Sequence, residues 1–215
     1  MKEKNKAPWI VVSGLDGSGK TTLVDNIEKW LTTEYSYRVK RDRLPHDVYL
    51  VHDLLNVSKD SYTDRMIFAL DNRIFATRFY EWQASNEYDV VLTQRGFLDS
   101  FVHGAVQGYS YSWTAELNHI ADFPKCDVII HLVAEAETAY KRIKDDPDAD
   151  KFEYIEYIRK QEMETRRAYF EVTRGNPDLS HFSNCINIYI DTTYLSTDET
   201  FELAKEKLTK SLNLK

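Results

Sequence analysis

Short apolar runs of strand length alternate along this chain with longer segments of helical period. The runs are WIVVSG, YRVKRDRL, DVVLTQ, CDVIIHLV and INIYID. This alternation is typical of a parallel sheet covered by helices on both of its faces. The pattern therefore predicts an α/β fold with a doubly wound, five-stranded parallel sheet.

Helical segments are expected between and after these strands. The longest of them carries a stripe of apolar residues at helical spacing, from Met66 to Trp82. No linker rich in Pro, Gly or Ser divides the chain, so we expect residues 1–215 to form one domain. The predicted helices are Thr21 to Tyr35, Tyr62 to Asn86, Leu98 to Gln107, Trp113 to Ile120, Glu135 to Lys144, Phe152 to Arg174 and Thr197 to Leu212.

Composition and charge limit the classes of function. Of the 215 residues, 42% are hydrophobic and 29% are charged, as in a globular protein with a full core. The net charge of −7 gives no overall attraction to nucleic acid, although an acidic protein can carry a local basic cleft. The first apolar run is too short for a signal peptide or a membrane span, and Cys126 and Cys185 are expected as reduced core thiols. We therefore expect a cytoplasmic protein without a membrane partner.

The segment after the first apolar run has the spacing of a phosphate-binding loop. Gly14, Gly19, Lys20 and Thr21 match the pattern G-x-x-x-x-G-K-[ST], between a predicted strand and a predicted helix. Glycines let backbone N–H groups converge on phosphate oxygens, and the start of a helix adds the positive end of its dipole. The lysine, expected as an exposed loop cation, supplies charge to the β- and γ-phosphates, and the threonine hydroxyl binds Mg²⁺.

This loop predicts ATP and Mg²⁺ as cofactors. Thr21 is the predicted metal ligand. The predicted ATP-binding residues are Gly14, Asp16, Gly17, Ser18, Gly19, Lys20, Thr21 and Thr22.

The loop alone does not choose between kinases, GTPases and motor ATPases. No N-K-x-D string is present to read guanine, and DVVLTQ lacks the acidic pair of a motor ATPase. A small chain with a phosphate loop and spaced arginines favours a kinase with a small acceptor.

Several motifs, taken in order, resemble the thymidylate kinase family from Trp9 to about Lys210. GLDGSGKTT resembles the family's phosphate loop, RLP its R-x-P, DNRIFATRF its helix with a substrate-facing arginine, VVLTQRGFLDS its D-R-Y/H segment, and AYKRIKDDPDADKFE its lid. The resemblance implies a P-loop NTPase fold with sheet order 2-3-1-4-5. It also implies transfer of the γ-phosphate of ATP to a (deoxy)nucleotide, with a thymidylate-like pyrimidine monophosphate as the favoured acceptor.

The resemblance also implies roles for individual residues. A lid at about residues 141–153 carries Arg142 and ends near Glu153. For each arginine the alternative is a surface ion pair or a charge at a helix end. The implied catalytic residues are Lys20, Asp16, Arg95 and Arg142, and the implied acceptor-binding residues are Arg43, Phe68, Arg73 and Arg95.

The chain departs from the family's pattern near the metal and near the base. Ser13 stands where the family usually has Glu, and Gln94 where it has Asp, so two carboxylates are absent. Gln94 can hydrogen-bond a metal-bound water but brings no charge. The aromatic residue that stacks on the base falls at Phe68 or Ala69, and spacing from Arg73 favours Ala69.

Two further hypotheses remain open. In a kinase that phosphorylates a hydroxyl, of a nucleoside or of hydroxymethylated pyrimidine in phage-type DNA, Asp16 is the nearby carboxylate for a general base. The aromatic run GYSYSW could then stack on bases, and DNA would be a partner only under this hypothesis. The other hypothesis is a catalytically silent nucleotide-binding module. A homodimer is also left open.

Overall fold

The computed structural model describes residues 6–46, 49–145, 152 and 154–212. Within these ranges five parallel strands form one sheet in the order β2-β3-β1-β4-β5, which confirms the predicted doubly wound order. The strands are β1 (Trp9–Gly14), β2 (Val39–Arg43), β3 (Val90–Gln94), β4 (Val128–Val133) and β5 (Ile186–Asp191).

The three central strands carry uninterrupted apolar runs because both of their faces are covered. Every residue of β1, β3 and β4 is buried, whereas β2 and β5 lie at the edges and are partly exposed. Val12 lies beside Gln94, and Gly14 beside Leu132, so all these strands end at the same edge of the sheet. Ligands of such sheets bind at this edge.

The helices begin and end within three residues of the predicted bounds, and α2 was not predicted from the sequence. A 3₁₀ turn at Ile120–Asp122 follows α5, and another at Pro177–Phe182 follows α7. The helices are α1 (Lys20–Glu34), α2 (Tyr49–Val57), α3 (Ser61–Ser85), α4 (Phe97–Val106), α5 (Tyr111–Asn118), α6 (Ala136–Ile143), α7 (Ile155–Thr173) and α8 (Thr197–Leu212).

Successive residues of β1 face opposite sides of the sheet and join two different cores. Trp9 and Val11 pack with aromatic residues of α3 and α4, including Phe75. Ile10 and Val12 pack on the other side with α1 and α8. Helices on both faces thus hold the sheet, and the carboxyl edge is left for the loops that bind ligands.

The structure describes only part of the predicted lid. Arg142 lies in α6, but residues 146–151 of the predicted lid and its end at Glu153 lie outside the described residues.

Among the residues that are described, no helix has both the length and the apolar character needed to cross a membrane. The single-domain interpretation stays a prediction.

Candidate functional site

The loop between β1 and α1 follows a path that requires glycine. Gly17 has φ 79° and Gly19 has φ 94°, in the left-handed region that other residues rarely adopt. A Cβ at Gly17 would lie 2.2 Å from the carbonyl oxygen of Ala139 in α6. The Ser18 hydroxyl is buried and has no hydrogen-bond partner among the described residues. The loop thus places a hydroxyl and the N-terminus of α1 where a phosphate would bind.

Lys20 is buried, with 5% of its surface exposed, and is not the exposed loop cation expected from the sequence. Its Nζ donates hydrogen bonds to the carbonyl oxygens of Gly14 at 2.9 Å and Leu15 at 2.8 Å, and to Asp16 Oδ1 at 3.0 Å. As the first residue of α1 it points back over the loop, which explains the difference. Burial lowers the pKa of Lys20, and the Asp16 charge opposes that effect.

Asp16 lies between two cations. Its Oδ1 accepts from Lys20 and from Arg95 Nη2. Burial by itself would raise the pKa of Asp16, but the charges of Arg95 and Lys20 outweigh it and hold that pKa below its usual range. Gln161 of α7 adds an amide on the third side, with Oε1 3.2 Å from the Asp16 backbone nitrogen and Nε2 3.4 Å from Oδ2. Asp16 is therefore an ionised hydrogen-bond acceptor.

Arg43 is the last residue of β2 and Arg95 directly follows β3, so the two lie at the ends of neighbouring strands. The Arg95 backbone has φ 66° and its N–H donates to the Val12 carbonyl oxygen at 2.8 Å, which turns the chain over β1. Its guanidinium also donates to the Leu44 carbonyl oxygen at 3.4 Å. Both arginines line one cleft with the phosphate loop, as expected for two groups that bind anions.

This cleft has a volume of about 690 Å³ and includes most of the predicted site residues. Arg142 borders it and donates to the Gly17 carbonyl oxygen at 3.2 Å and the Thr192 carbonyl oxygen at 2.9 Å. The sequence interpretation missed the loop after β5, although the end of any strand in a parallel sheet reaches this edge. The described lining residues are Asp16 to Leu23, Arg43, Gln94, Arg95, Arg142, Ile143, Thr192, Leu195, Ser196, Thr197 and Thr200.

The structure does not bring Arg73 to this cleft, contrary to the role implied by the resemblance. Its guanidinium lies 4.7 Å over the Phe123 ring, and its Nη2 is 3.5 Å from the Asn118 carbonyl oxygen and 3.9 Å from Asp122 Oδ2. The reason is helical phase: residues four apart share a face, and Arg73 is five residues after Phe68. Asn72 takes the position on the Phe68 face and is buried against Ser100 and Asn118.

Phe68, rather than Ala69, provides the aromatic ring of α3 beside the site. It lies parallel to His103 of α4, with ring centroids 6.3 Å apart and an angle of 9°. Phe152 packs against both of these rings, and Tyr157 packs against His103 and Phe152. We call Phe68, His103, Phe152 and Tyr157 the aromatic cluster.

Neutral His103 joins the aromatic cluster to the phosphate loop. Burial, with a further contribution from Arg65, lowers the pKa of His103 to about 3. Its Nδ1 is 2.8 Å from the Tyr157 hydroxyl, and its Nε2 is 3.4 Å from the Gln161 amide that also contacts Asp16. None of Arg65, His103 and Gln161 was singled out from the sequence. Arg65 falls at the helical spacing of the buried residues of α3. A charged residue at such a position is the signal that could have drawn attention to it.

Ser13, Thr21 and Gln94, which lie near the expected metal position, have uncharged side chains. Thr21 Oγ1 donates to Gln94 Oε1 at 3.2 Å, and Ser13 Oγ donates to the buried Asp99 at 3.1 Å. Burial raises the pKa of Asp99, whose other oxygen accepts from the Gly96 N–H. The described residues contain no group of three or more His, Cys, Asp or Glu that could hold a metal. A hydroxyl and an amide oxygen fit Mg²⁺ that is bound mainly by nucleotide phosphates and water.

Three comparisons place the chain among known proteins. The family model of thymidylate kinase matches residues 12–179. A probable thymidylate kinase of Pyrobaculum aerophilum is 28% identical over 152 residues, which are 71% of this chain and 78% of that protein. A probable thymidylate kinase 1 of Saccharolobus solfataricus is 27% identical over 167 residues, with 77% and 82% covered.

A solved structure agrees with the fold. Thymidylate kinase from Candida albicans superposes with a TM-score of 0.70 over 98% of this chain and 94% of its own, at 15% identity. The family model spans far more than half of the 215 residues and includes the phosphate loop, Arg43 and Arg95. The resemblance stated from the motifs is thereby confirmed, and this protein belongs to the thymidylate kinase family of ATP-dependent nucleotide kinases.

Proposed function

We propose that this protein transfers the γ-phosphate of ATP to the 5′-phosphate of a thymidylate-like pyrimidine monophosphate. The observation that carries the proposal is that Lys20 of the donor loop and the two arginines Arg43 and Arg95 line a single cleft. In phosphoryl transfer the protein chiefly positions the two substrates and neutralises charge on the phosphate oxygens. Arg142, hydrogen-bonded to the loop, adds a further cation on the donor side.

The chemistry of Asp16 favours an acceptor phosphate over an acceptor hydroxyl. A hydroxyl needs a base to take its proton, whereas a phosphate is already anionic. Asp16 has a pKa below its usual range and is bound by Lys20, Arg95 and Gln161, so it is a weak base. Asp99 of α4 accepts hydrogen bonds on both oxygens, from the Ser13 hydroxyl of β1 and from the Gly96 backbone N–H.

The aromatic run at residues 108–113 does not form the open platform that the DNA hypothesis requires. Tyr109 and Trp113 stack on each other with centroids 4.1 Å apart, and Tyr111 is buried in the core. A small nucleotide is therefore the proposed partner. Membership of a kinase family and the preserved Lys20 and Thr21 argue against a catalytically silent module.

We also propose that Mg²⁺ is a cofactor of the reaction and that the protein acts in the cytoplasm. The ion would be held by Thr21, with Gln94 positioned to hydrogen-bond its water, and when bound it neutralises charge on the transferring phosphate. Two carboxylates that the family usually places nearby are absent, so we expect a higher Mg²⁺ requirement than in relatives that have them.

A homodimer through α3 is also proposed. Tyr62, Met66, Leu70 and Ile74 repeat every four residues and are 37–54% exposed, which forms an apolar stripe along one face of the helix. A two-fold dimer pairs one surface with itself, so a single stripe is sufficient. Sedimentation should show a dimer that Leu70→Glu converts to a monomer; a monomeric parent protein would refute the proposal.

The acceptor is tested by supplying labelled ATP with a panel of acceptors: dTMP, other mononucleotides, nucleosides, and DNA carrying hydroxymethylated pyrimidine. We expect label on dTMP or a related pyrimidine monophosphate. Label only on nucleosides or on DNA would refute the proposed acceptor, and no label at all would favour the silent module.

A further inference from the structure

Arg166 of α7 is bound by three groups from two elements of the fold. Its Nε donates to Glu162 Oε1, one turn earlier in the same helix, at 3.1 Å. Its Nη2 donates to Asp191 Oδ2 at 3.1 Å, and its Nη1 donates to the Tyr189 hydroxyl, both in β5. The rigid fork of a guanidinium is suited to holding several acceptors in a fixed geometry. Arg166 therefore connects α7 with the end of β5.

From Glu162 the hydrogen bonds continue to the start of α6. Glu162 Oε2 accepts from the backbone N–H of Ala136, the first residue of that helix, at 2.8 Å. A carboxylate at this place satisfies an otherwise unpaired N–H and complements the positive end of the helix dipole. The same helix presents the Ala139 carbonyl oxygen to Gly17, so close that a Cβ on the glycine would lie 2.2 Å from it. A shift of α6 would therefore move the phosphate loop.

From Asp191 the hydrogen bonds continue into the loop after β5. Asp191 Oδ1 accepts from the Thr193 backbone N–H at 3.0 Å and from its hydroxyl at 2.6 Å. Burial by itself would raise the pKa of Asp191, but hydrogen bonds from Thr193 and Arg166 outweigh it and lower that pKa, so the carboxylate is charged. The Thr193 hydroxyl in turn accepts from the backbone N–H of Glu135, directly before α6, at 2.9 Å.

These contacts close a ring that joins α7, α6 and the loop after β5. We call its members the hydrogen-bonded ring: Arg166, Glu162, Ala136, Glu135, Thr193 and Asp191.

Two residues held by this ring contact the phosphate loop directly. Thr192 Oγ1 is 3.1 Å from the Ser18 carbonyl oxygen, and the Thr192 carbonyl oxygen accepts from Arg142 of α6 at 2.9 Å. Arg142 also donates to the Gly17 carbonyl oxygen. Thr192 and Arg142 both line the cleft, whereas Arg166 is not among its described lining residues.

We infer that Arg166 is a positioning residue for the phosphoryl donor: it holds α6 and the loop after β5 so that Arg142 and Thr192 support the phosphate loop. It acts through these neighbours and does not touch the nucleotide. The acceptor side is built from β2 and β3, which lie on the other side of β1 from β5, so its binding is expected to be unaffected. The inference rests on ATP as the donor in the proposed function.

Arg166→Met tests the inference, because methionine keeps an unbranched stem and removes all the donors. Arg167→Met is the matched control: it makes the same change at the next position of α7, where the side chain is 59% exposed and pairs with Glu164 at 3.6 Å. The measurements are the Kd of ATP by calorimetry without acceptor, and KM for ATP and for the acceptor.

The expected result is a change on the donor side alone. Arg166→Met should raise the Kd and KM of ATP by about 10-fold, since a small misplacement of a binding group costs up to about 100-fold. The acceptor KM should change by less than about twofold, and Arg167→Met should change none of these constants by more than about twofold. An unchanged ATP Kd in Arg166→Met, or an equal rise of both KM values, would overturn the inference.

A second variant separates the ring from a general loss of stability. Thr193→Val removes the hydroxyl on the far side of the ring. If both residues act through one ring, the double variant should bind ATP about as weakly as the weaker single variant. Multiplication of the two single effects would refute the shared path. All constants are measured below the Tm of every variant, and if Arg166→Met does not fold, Thr193→Val alone must raise the ATP Kd at an unchanged acceptor KM.

The Kd of ATP distinguishes this inference from the proposed function, because it needs no acceptor. If the parent protein binds ATP but phosphorylates no monophosphate, the proposed acceptor is wrong and Arg166 is still judged on that Kd. If the parent phosphorylates dTMP and Arg166→Met binds ATP unchanged, the inference fails and the proposed function stands. A parent protein that does not bind ATP would refute both.

Discussion

Protonated His46 should stabilise this protein below neutral pH and lose that effect above it. The residue follows Arg43, Leu44 and Pro45 and is buried, with its Nδ1 2.6 Å from Asp71 Oδ1 and its Nε2 3.3 Å from Asp42 Oδ2. Burial alone would lower the pKa of His46, but contact with the two carboxylates outweighs it and raises that pKa to about 9. The imidazolium therefore connects α3 with the end of β2, which carries Arg43.

The size of the effect follows from linkage between protonation and folding. A pKa raised from 6.5 to about 9 corresponds to about 3 kcal/mol, at about 1.4 kcal/mol per pKa unit. Because the folded pKa lies above the unfolded one, the stabilisation is complete below about pH 6.5 and is lost as the pH rises through about 9. His46→Asn keeps an N–H donor near Asp71 and removes the ionisable imidazole.

Urea denaturation at about pH 6 and about pH 9.5 measures this contribution. The parent protein should lose about 3 kcal/mol more than His46→Asn over that range, since other groups titrate equally in both. His119→Asn is the control, because His119 is exposed and asparagine suits its left-handed backbone, φ 47°. Equal pH dependence in the parent and His46→Asn would refute the assignment of a charged His46.

The remaining predictions concern the cleft. Lys20→Met should lower kcat by about 100-fold or more, and circular dichroism should show a lower Tm because three hydrogen bonds of a buried Nζ are lost. Arg95→Met should lower kcat/KM by about 100-fold, whereas Arg73→Met should change it by no more than about twofold; the reverse order would restore the role first implied for Arg73. Asp16→Asn should mainly raise the acceptor KM, and a collapse of kcat at unchanged KM would instead indicate that Asp16 is a general base.

The sequence predicts those features whose causes are local. The strands β1, β3 and β4 are recognisable because a strand covered on both faces needs an unbroken apolar run. The phosphate loop is recognisable because Gly17 and Gly19 adopt backbone angles that almost no other residue tolerates. Each of these properties is present in a window of a dozen residues.

Features that depend on distant parts of the chain were missed or misplaced. The role implied for Arg73 depends on helical phase, and one residue more between Phe68 and Arg73 turns the arginine toward Phe123. In the sequence Arg65 looks like any charged residue of an exposed helix, and its burial becomes visible only when α3 packs with α4 in the folded chain. Lys20 was expected to be exposed because the loop carbonyls that bury it are visible only in three dimensions.

The missing carboxylates and the cations of the cleft together change the charge balance of the site. With Ser13 and Gln94 in place of acidic residues, the described cleft contains Lys20, Arg43, Arg95 and Arg142 but a single lining carboxylate, Asp16. Such a cleft attracts anionic substrates strongly and holds Mg²⁺ less well by itself, so the metal must arrive with the nucleotide phosphates. An acceptor that brings its own phosphate charge balances these arginines, and an uncharged nucleoside leaves them unbalanced. The same charge distribution that weakens the metal site therefore favours a monophosphate acceptor.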